Sequence, residues 1–152
     1  MGSMDTLDLL FVITALLFQA VLIVHFAFRR WRFETAIRYG YLVYALGLPA
    51  AAVSILLMAG GKAWGLWTGG LVYLAWGAFG YWSEYIRKIE WREPIRWAVF
   101  GPYMLLYLAT CMFYWFPLAL VWKPLWYAYA GLFVASTALN VASHRRTTGK
   151  YE

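Results

Sequence analysis

Five apolar runs restrict what this chain can fold into. Each approaches or exceeds the roughly 20 residues that an α-helix needs to cross the hydrocarbon core of a bilayer. The runs cover residues 9–28, 37–58, 65–85, 97–121 and 125–141. Barrel strands are much shorter and alternate apolar with polar residues, which these runs do not. The sequence therefore predicts an all-α integral membrane bundle of five transmembrane helices.

The composition supports this prediction. Only 13% of the residues are charged and 64% are hydrophobic, whereas a soluble domain carries about 25% charged and 45–50% apolar residues. Too little polar surface remains to coat a water-soluble globule, so the surplus apolar surface must face lipid. We expect one transmembrane domain over residues 1–152, in which residues 1–3 are a cloning remnant before a native start at Met4. Cys111 is the single cysteine and lies in an apolar run, which excludes a disulfide framework.

The basic residues indicate how the bundle is oriented. Of the 13 lysines and arginines, 11 fall after the first helix, after the third helix or in the C-terminal tail, and only Lys62 and Lys123 fall on the other side. The positive-inside rule then places the N-terminus outside and the C-terminus in the cytoplasm. We expect a bacterial or archaeal inner (plasma) membrane.

The net charge of +6 has a related explanation. The basic residues lie at the ends of apolar runs instead of along one solvated face. This placement argues against nucleic acid as a partner, and it indicates membrane lipids with anionic headgroups instead.

The third predicted helix carries a face of small residues. Gly70, Gly77 and Glu84 are seven residues apart and therefore share one side of a helix. Small residues let another backbone approach closely. The face can pack within the chain, form a homo-oligomer through Gly70 and Gly77, or leave room for a flat ligand beside Trp76 and Tyr81.

Several polar side chains lie within the predicted spans. Gln19 and His25 are on the first helix and Glu84 is near the inner end of the third. Polar groups at membrane depth are functional candidates, because lipid offers them no hydrogen-bond partner. Their structural alternative is hydrogen bonding between helices. On the fifth helix one polar stripe is expected to point into the bundle: Thr137, Asn140 and His144.

The two histidines raise the question of a cofactor. His25 and His144 lie at similar depth on the cytoplasmic side, and each is followed by arginines. Two histidines on facing helices can hold a haem axially, but this requires the first and fifth helices to be neighbours. The sequence identifies no other cofactor, and two good ligands are too few for a structural metal site.

Two prolines predict kinks that widen the space between helices. Pro49 falls within the second helix and Pro102 early in the fourth. Tyr44 precedes Pro49 by about one turn, and Tyr103 and Tyr107 follow Pro102. We expect these tyrosines to line a shared pocket in the inner half of the membrane, or else to fill the core.

The leading hypothesis is an aromatic-lined intramembrane cavity for a small hydrophobic or amphipathic ligand, such as a lipid, an isoprenoid, a sterol-like molecule or a tetrapyrrole. The expected apolar walls are Tyr44, Trp76, Tyr81, Tyr103 and Tyr107. The expected polar groups are Gln19, Glu84, Asn140 and His144. A second hypothesis is a membrane-embedded enzyme, with His25, Glu84 and His144 as catalytic acid and base in an isomerisation. A third is an oligomeric small transporter or channel.

One segment resembles a known family. WAVFGPYMLLY, residues 97–107, resembles a W-x-x-F-G-P…L-Y stretch of the tryptophan-rich sensory protein (translocator protein) family, which has five helices and binds porphyrins and sterols. The family has this stretch at its second helix, whereas here it opens the fourth, and the family's proline-rich first loop is missing. No binding residue is therefore carried over.

Overall fold

The structure is a computed structural model that describes residues 4–91 and 94–147, without the side chains of residues 144–147. Residues 1–3 and the His144 side chain thus lie outside the described part. Throughout that part the regular secondary structure is helical. The helices are α1 (Thr6–Trp31), α2 (Phe33–Tyr39), α3 (Tyr41–Ala45), α4 (Gly47–Ala59), α5 (Trp64–Tyr81), α6 (Trp97–Val121) and α7 (Lys123–Thr147), and a π-helical turn (Trp82–Ile86) follows α5.

Four of the described helical stretches are long and apolar enough to cross a membrane: Thr6–Trp31, Phe33–Ala59, Trp97–Val121 and Lys123–Ser143. This finding confirms the all-helical prediction and the presence of helices able to span a membrane, but not the predicted count of five. Helix α5 is not among the four, because its glycines, tryptophans and tyrosines lower its mean hydropathy. Most of its glycines, together with Tyr73 and Trp76, are buried inside the bundle.

The prolines affect the helices differently. The second apolar stretch is divided into α2, α3 and α4, and its last break is at Leu46, one turn before Pro49. Pro49 has no N–H to donate to the carbonyl four residues earlier, which favours this interruption. Helix α6 continues through Pro102 and Pro117. The turn to α7 is at Trp122, so Pro124 stands in the first turn of α7, where a missing N–H costs little.

Helix α5 lies between two parts of the bundle, with α3 and α4 on one side and α6 on the other. Its glycines allow the close approach. A Cβ at Gly70 would collide with the Ala50 carbonyl, and one at Gly77 would lie 2.6 Å from the Tyr44 carbonyl oxygen. The Gly70/Gly77 face is thus covered by the chain's own helices, and a second copy on this face would have to displace them.

Helix α1 packs along α7 and also contacts α4. Asp5 caps α1 by accepting a 2.8 Å hydrogen bond from the Asp8 N–H. Lys62, in the loop before α5, lies 2.7 Å from Asp5 Oδ2 and 2.6 Å from Asp8 Oδ1. Hydrogen bonding to Lys62 lowers the pKa of Asp5, and hydrogen bonding to Asp5 and Asp8 raises the pKa of Lys62. The three charges connect the start of α1 to the loop after α4.

Candidate functional site

The site is built around the π-helical turn that ends α5. In this turn the Arg87 N–H donates to the Trp82 carbonyl, five residues back, at 2.8 Å. The extra residue per turn changes where the following side chains point, and such turns occur frequently at functional sites. Lys88, two residues after the turn, has a left-handed φ of 49°. Within the turn, Glu84 meets α3 and Tyr85 meets α2.

A chain of three hydrogen-bonding groups connects three elements. The Tyr44 hydroxyl of α3 donates to Glu84 Oε2 at 2.9 Å and lies 3.0 Å from the Tyr103 hydroxyl of α6. A hydroxyl has one hydrogen to donate. Because Tyr44 gives its hydrogen to Glu84, Tyr103 is the donor to Tyr44. The carboxylate thus polarises both hydroxyls in an apolar setting, where such bonds are strengthened.

An aromatic cluster lies directly behind this chain. Trp76 is 2% exposed. The Trp76 cluster, as we call it, consists of Trp76 and five rings whose centroids lie 5.4–6.2 Å from it: Phe18, Tyr44, Tyr73, Tyr103 and Tyr107. On the far side of Tyr103, the buried Trp91 ring from the loop after the π-helical turn packs at 4.9 Å. The cluster is therefore an aromatic wall with Glu84 at its edge.

Two polar atoms of the cluster lack hydrogen bonds. Among the described side chains, Trp76 Nε1 and Tyr107 Oη are buried and have no partner. Cys111 and Ser136 lie close to the Tyr107 hydroxyl, but neither forms a hydrogen bond with it. An unsatisfied buried polar group costs about 1–3 kcal/mol, and hydrocarbon supplies no replacement partner. These two atoms mark the place where a ligand or a water would be stabilised.

The structure thus brings five of the predicted site residues together: Tyr44, Trp76, Glu84, Tyr103 and Tyr107. Tyr81 is elsewhere. It is 44% exposed and stacks on Tyr85 at 5.4 Å, on the outside of the bundle.

His25 lies at the junction of α2 and α3. A Cβ at Gly40 would be 3.4 Å from His25 Cε1 and 2.8 Å from the Tyr85 hydroxyl. Helices α1 and α7 are neighbours, as a haem between His25 and His144 requires. Because the His144 side chain is outside the described part, the haem and the catalytic histidine pair stay predictions. Within the described residues, no group of three His, Cys, Asp or Glu could hold a metal ion.

Gln19 belongs to a separate polar network in the core. Its side chain is fully buried, donates to the Tyr129 hydroxyl at 3.0 Å and accepts from Ser136 Oγ at 2.9 Å. Gln19 Nε2 also lies 3.8 Å from Cys111 Sγ. This Gln19 network (Gln19, Cys111, Tyr129 and Ser136) connects α1, α6 and α7. We did not predict Tyr129 or Ser136, although they share one face of α7 by their seven-residue spacing.

The predicted polar stripe on α7 is wrong for Thr137, which is exposed. The inward face instead carries Tyr129, Ser136 and Ser143, all fully buried. Asn140 is half-buried, and its Oδ1 is among the buried atoms with no partner. Thr137 and Ser136 are adjacent in the sequence. Shifting the predicted inward face of the helix by one residue therefore buries Ser136 and exposes Thr137.

Comparison of the chain with protein-family models, curated proteins and solved structures finds no match. No family model supports the resemblance of residues 97–107 to the translocator protein family.

Proposed function

We propose that this membrane protein binds a small amphipathic molecule at the Trp76 cluster, with the polar end of the molecule held beside Glu84. The observation that carries the proposal is the pair of unpartnered polar atoms, Trp76 Nε1 and Tyr107 Oη, next to the Glu84–Tyr44–Tyr103 hydrogen-bond chain. A site that offers several polar atoms within an apolar wall is typical of small-molecule pockets.

The polar atoms restrict the chemistry of the ligand. Trp76 Nε1 only donates, the Tyr107 hydroxyl donates or accepts, and a carboxylate accepts more than one hydrogen bond. A group that both accepts and donates fits this set, and a hydroxyl is the simplest such group. The surrounding rings favour a flat or branched apolar body. Isoprenoid alcohols and sterol-like molecules fit both requirements within the wider class of amphipathic lipids.

Entry of a ligand requires one ring to move, because the rings of the Trp76 cluster contact one another. Tyr103 is the best candidate. It is only half-buried, whereas Tyr44, Trp76 and Tyr107 are buried. A rotation of Tyr103 would open the cluster without moving a helix, and the displaced Tyr103 hydroxyl can bind the ligand in place of Tyr44.

The test is mass spectrometry of an organic extract from the detergent-purified protein, with a preparation from membranes lacking the protein as the control. The proposal predicts one compound, enriched over the control and close to one molecule per chain. An extract that contains only bulk phospholipid in control proportions would contradict it. In that case the unpartnered atoms bind buried water, which commonly satisfies such groups.

We also propose five spans with the N-terminus outside. Support comes from α5, which lies against α4 on one side and α6 on the other: Gly47 approaches Leu74, and Gly69 approaches Tyr114. A helix packed along two spanning neighbours crosses with them. The basic residues in and after the last turn of α1, those after α5 and those near the C-terminus then share the cytoplasmic end of an inner membrane.

Cysteine labelling in intact cells tests the five-span proposal. Cys111 is buried and should not react with a membrane-impermeant maleimide. A cysteine placed at the exposed Ala63 or at the exposed Glu90 is then the one cysteine that the reagent can label. The proposed topology predicts labelling at Ala63→Cys and none at Glu90→Cys until the cells are opened. Labelling of both in intact cells would show that α5 does not cross, and labelling of Glu90→Cys alone would show the reverse orientation.

A further inference from the structure

A groove lies along the outer side of α7, next to the last turn of α1, and none of its lining residues belongs to the Trp76 cluster. Its volume is about 700 Å³, within the roughly 300–1,000 Å³ of small-molecule sites. The apolar part of its lining comes mainly from Val134, Ala138, Val141 and Ala142 of α7, and Thr137 adds a hydroxyl. Among the described residues of the lining, Arg30 of α1 contributes the one charged side chain.

The apolar part of the groove faces the lipid. Only 11% of the apolar window of α7 is buried within the chain, compared with 33% for α1 and for α6. Ala138 and Ala142 are one turn apart, and their small side chains leave a channel along α7. A channel of this kind on a membrane-spanning helix would be filled by an acyl chain, because water is excluded there.

Arg30 gives the groove a polar end. It is the second-last residue of α1, and its guanidinium carbon lies 5.6 Å from the Trp31 ring centroid. Its Nε is buried and has no hydrogen-bond partner among the described residues. The guanidinium fork matches the geometry of a phosphate better than an ammonium does. A positive charge at the end of a spanning helix lies at the depth of lipid headgroups.

We propose that the groove binds one anionic phospholipid, with its phosphate at Arg30 and an acyl chain along Ala138 and Ala142. Charge complementarity selects the acidic lipid. Arg29 precedes Arg30 and Arg32 follows Trp31 in the sequence, and Arg145 and Arg146 come shortly after Ala142. The Thr137 hydroxyl lies in the groove wall and can donate to an ester carbonyl of the lipid. This site is independent of the ligand site at the Trp76 cluster.

The test uses the detergent-purified full chain, titrated with phosphatidylglycerol or phosphatidylcholine and observed by native mass spectrometry. The wild-type protein should retain phosphatidylglycerol about five- to tenfold more strongly, as expected for one well-placed basic side chain near anionic headgroups. Arg30→Gln should reduce that preference to near unity. Arg38→Gln is the matched control, because Arg38 also lies over the aromatic ring that follows it (Tyr39, 5.5 Å), but is exposed and outside the groove.

Two further experiments separate binding of the acyl chain in the groove from binding of the phosphate alone. Ala138→Phe, which fills the groove from an exposed position, should reduce retention of both lipids while the variant elutes at the same size as wild type. Glycerol phosphate should not compete, because it has no acyl chain. Equal losses in Arg30→Gln and Arg38→Gln would show diffuse attraction and overturn the proposal. So would an unchanged preference in Arg30→Gln, or full competition by glycerol phosphate.

Discussion

The Tyr44 hydroxyl donates a 2.9 Å hydrogen bond to Glu84 Oε2, although the two residues are 40 positions apart in the chain. The bond joins α3, a five-residue helix, to the π-helical turn after α5. A helix as short as α3 has little stability of its own. The contact with Glu84 and the packing of Tyr44 on Trp76, at 5.4 Å, therefore hold α3 in place.

Tyr44→Phe is expected to destabilise the protein by about 1.5–3 kcal/mol, the range for a hydrogen bond to a charged group. The ring and its packing on Trp76 are retained, so the effect reports the hydroxyl alone. Denaturant or thermal unfolding in detergent measures it. Tyr127→Phe removes the same atom from a side chain that is 60% exposed, and it should change stability by less than about 0.5 kcal/mol. Equal effects in the two variants would contradict a role for the Tyr44–Glu84 bond.

Substitutions at Gln19 can separate the contribution of its hydrogen bonds to stability from the contribution of its side-chain volume. Gln19→Leu keeps most of the side-chain volume, and Ser136 and Tyr129 retain hydrogen bonds to the carbonyls of Phe133 and Cys111. We expect a loss of about 1 kcal/mol for Gln19→Leu. Gln19→Ala also leaves a cavity at a fully buried position and should lose about 2–4 kcal/mol. The order of the two midpoints in an unfolding titration checks this, and an equal loss in both would mean that the hydrogen bonds dominate.

Gly70→Leu should prevent correct folding, because its side chain would collide with the Ala50 carbonyl across the α4–α5 contact. The matched control is Gly131→Leu on α7, where a Cβ meets nothing within 4 Å. Size-exclusion profiles of both variants, detected by a fluorescent fusion, measure the folded fraction. A folded Gly70→Leu protein of lower oligomeric mass than wild type would instead place this face between two copies.

The Asp5–Asp8–Lys62 cluster predicts a pH dependence of stability. The pKa of Asp5 is lowered, chiefly by its hydrogen bond with Lys62. A lowered carboxyl pKa contributes stability above the unfolded value of about 3.9, and the contribution is lost as pH falls through the folded pKa. The pKa of Lys62 is raised, chiefly by Asp5, so its contribution is present below the unfolded value of about 10.4 and is lost as pH rises through the folded pKa.

Lys62→Met should therefore lower the thermal midpoint at neutral pH by a small amount, because these groups are solvent-screened. The difference from wild type should shrink as pH falls through the lowered folded pKa of Asp5. Thermal scans of both proteins between pH 2.5 and pH 7 measure it. A difference that persists unchanged at pH 2.5 would assign the role of Lys62 to packing instead of charge.

The apolar runs predicted the helices well because length and hydropathy are local properties. The fourth run coincides with α6 (Trp97–Val121). The sequence also indicates the depth of Tyr44, Tyr103 and Tyr107 along their helices. The structure brings these side chains together with Trp76. Residue order within a span fixes depth in the membrane, so residues at equal depth are candidates for contact.

The direction of a side chain around its helix was harder to predict. Tyr81 faces outward, although it lies only three residues before Glu84. The neighbours of Gln19 depend on α1 packing against α6 and α7, and no local pattern specifies that arrangement. An apolar helix in lipid has weak amphipathicity, so its sequence marks its inward face poorly. The seven-residue spacing of Tyr129, Ser136 and Ser143 was the available signal.

The most direct measurement of the central claim is the amount of ligand per chain in organic extracts of wild type, Glu84→Gln and Glu90→Gln. Glu90→Gln makes the same chemical change at an exposed residue of the loop that follows the π-helical turn. We predict one enriched compound near one molecule per chain in wild type and Glu90→Gln, and at least a tenfold reduction in Glu84→Gln, with all three proteins eluting at the same size. Equal amounts in Glu84→Gln and wild type would contradict the assignment of the polar end of the site to Glu84.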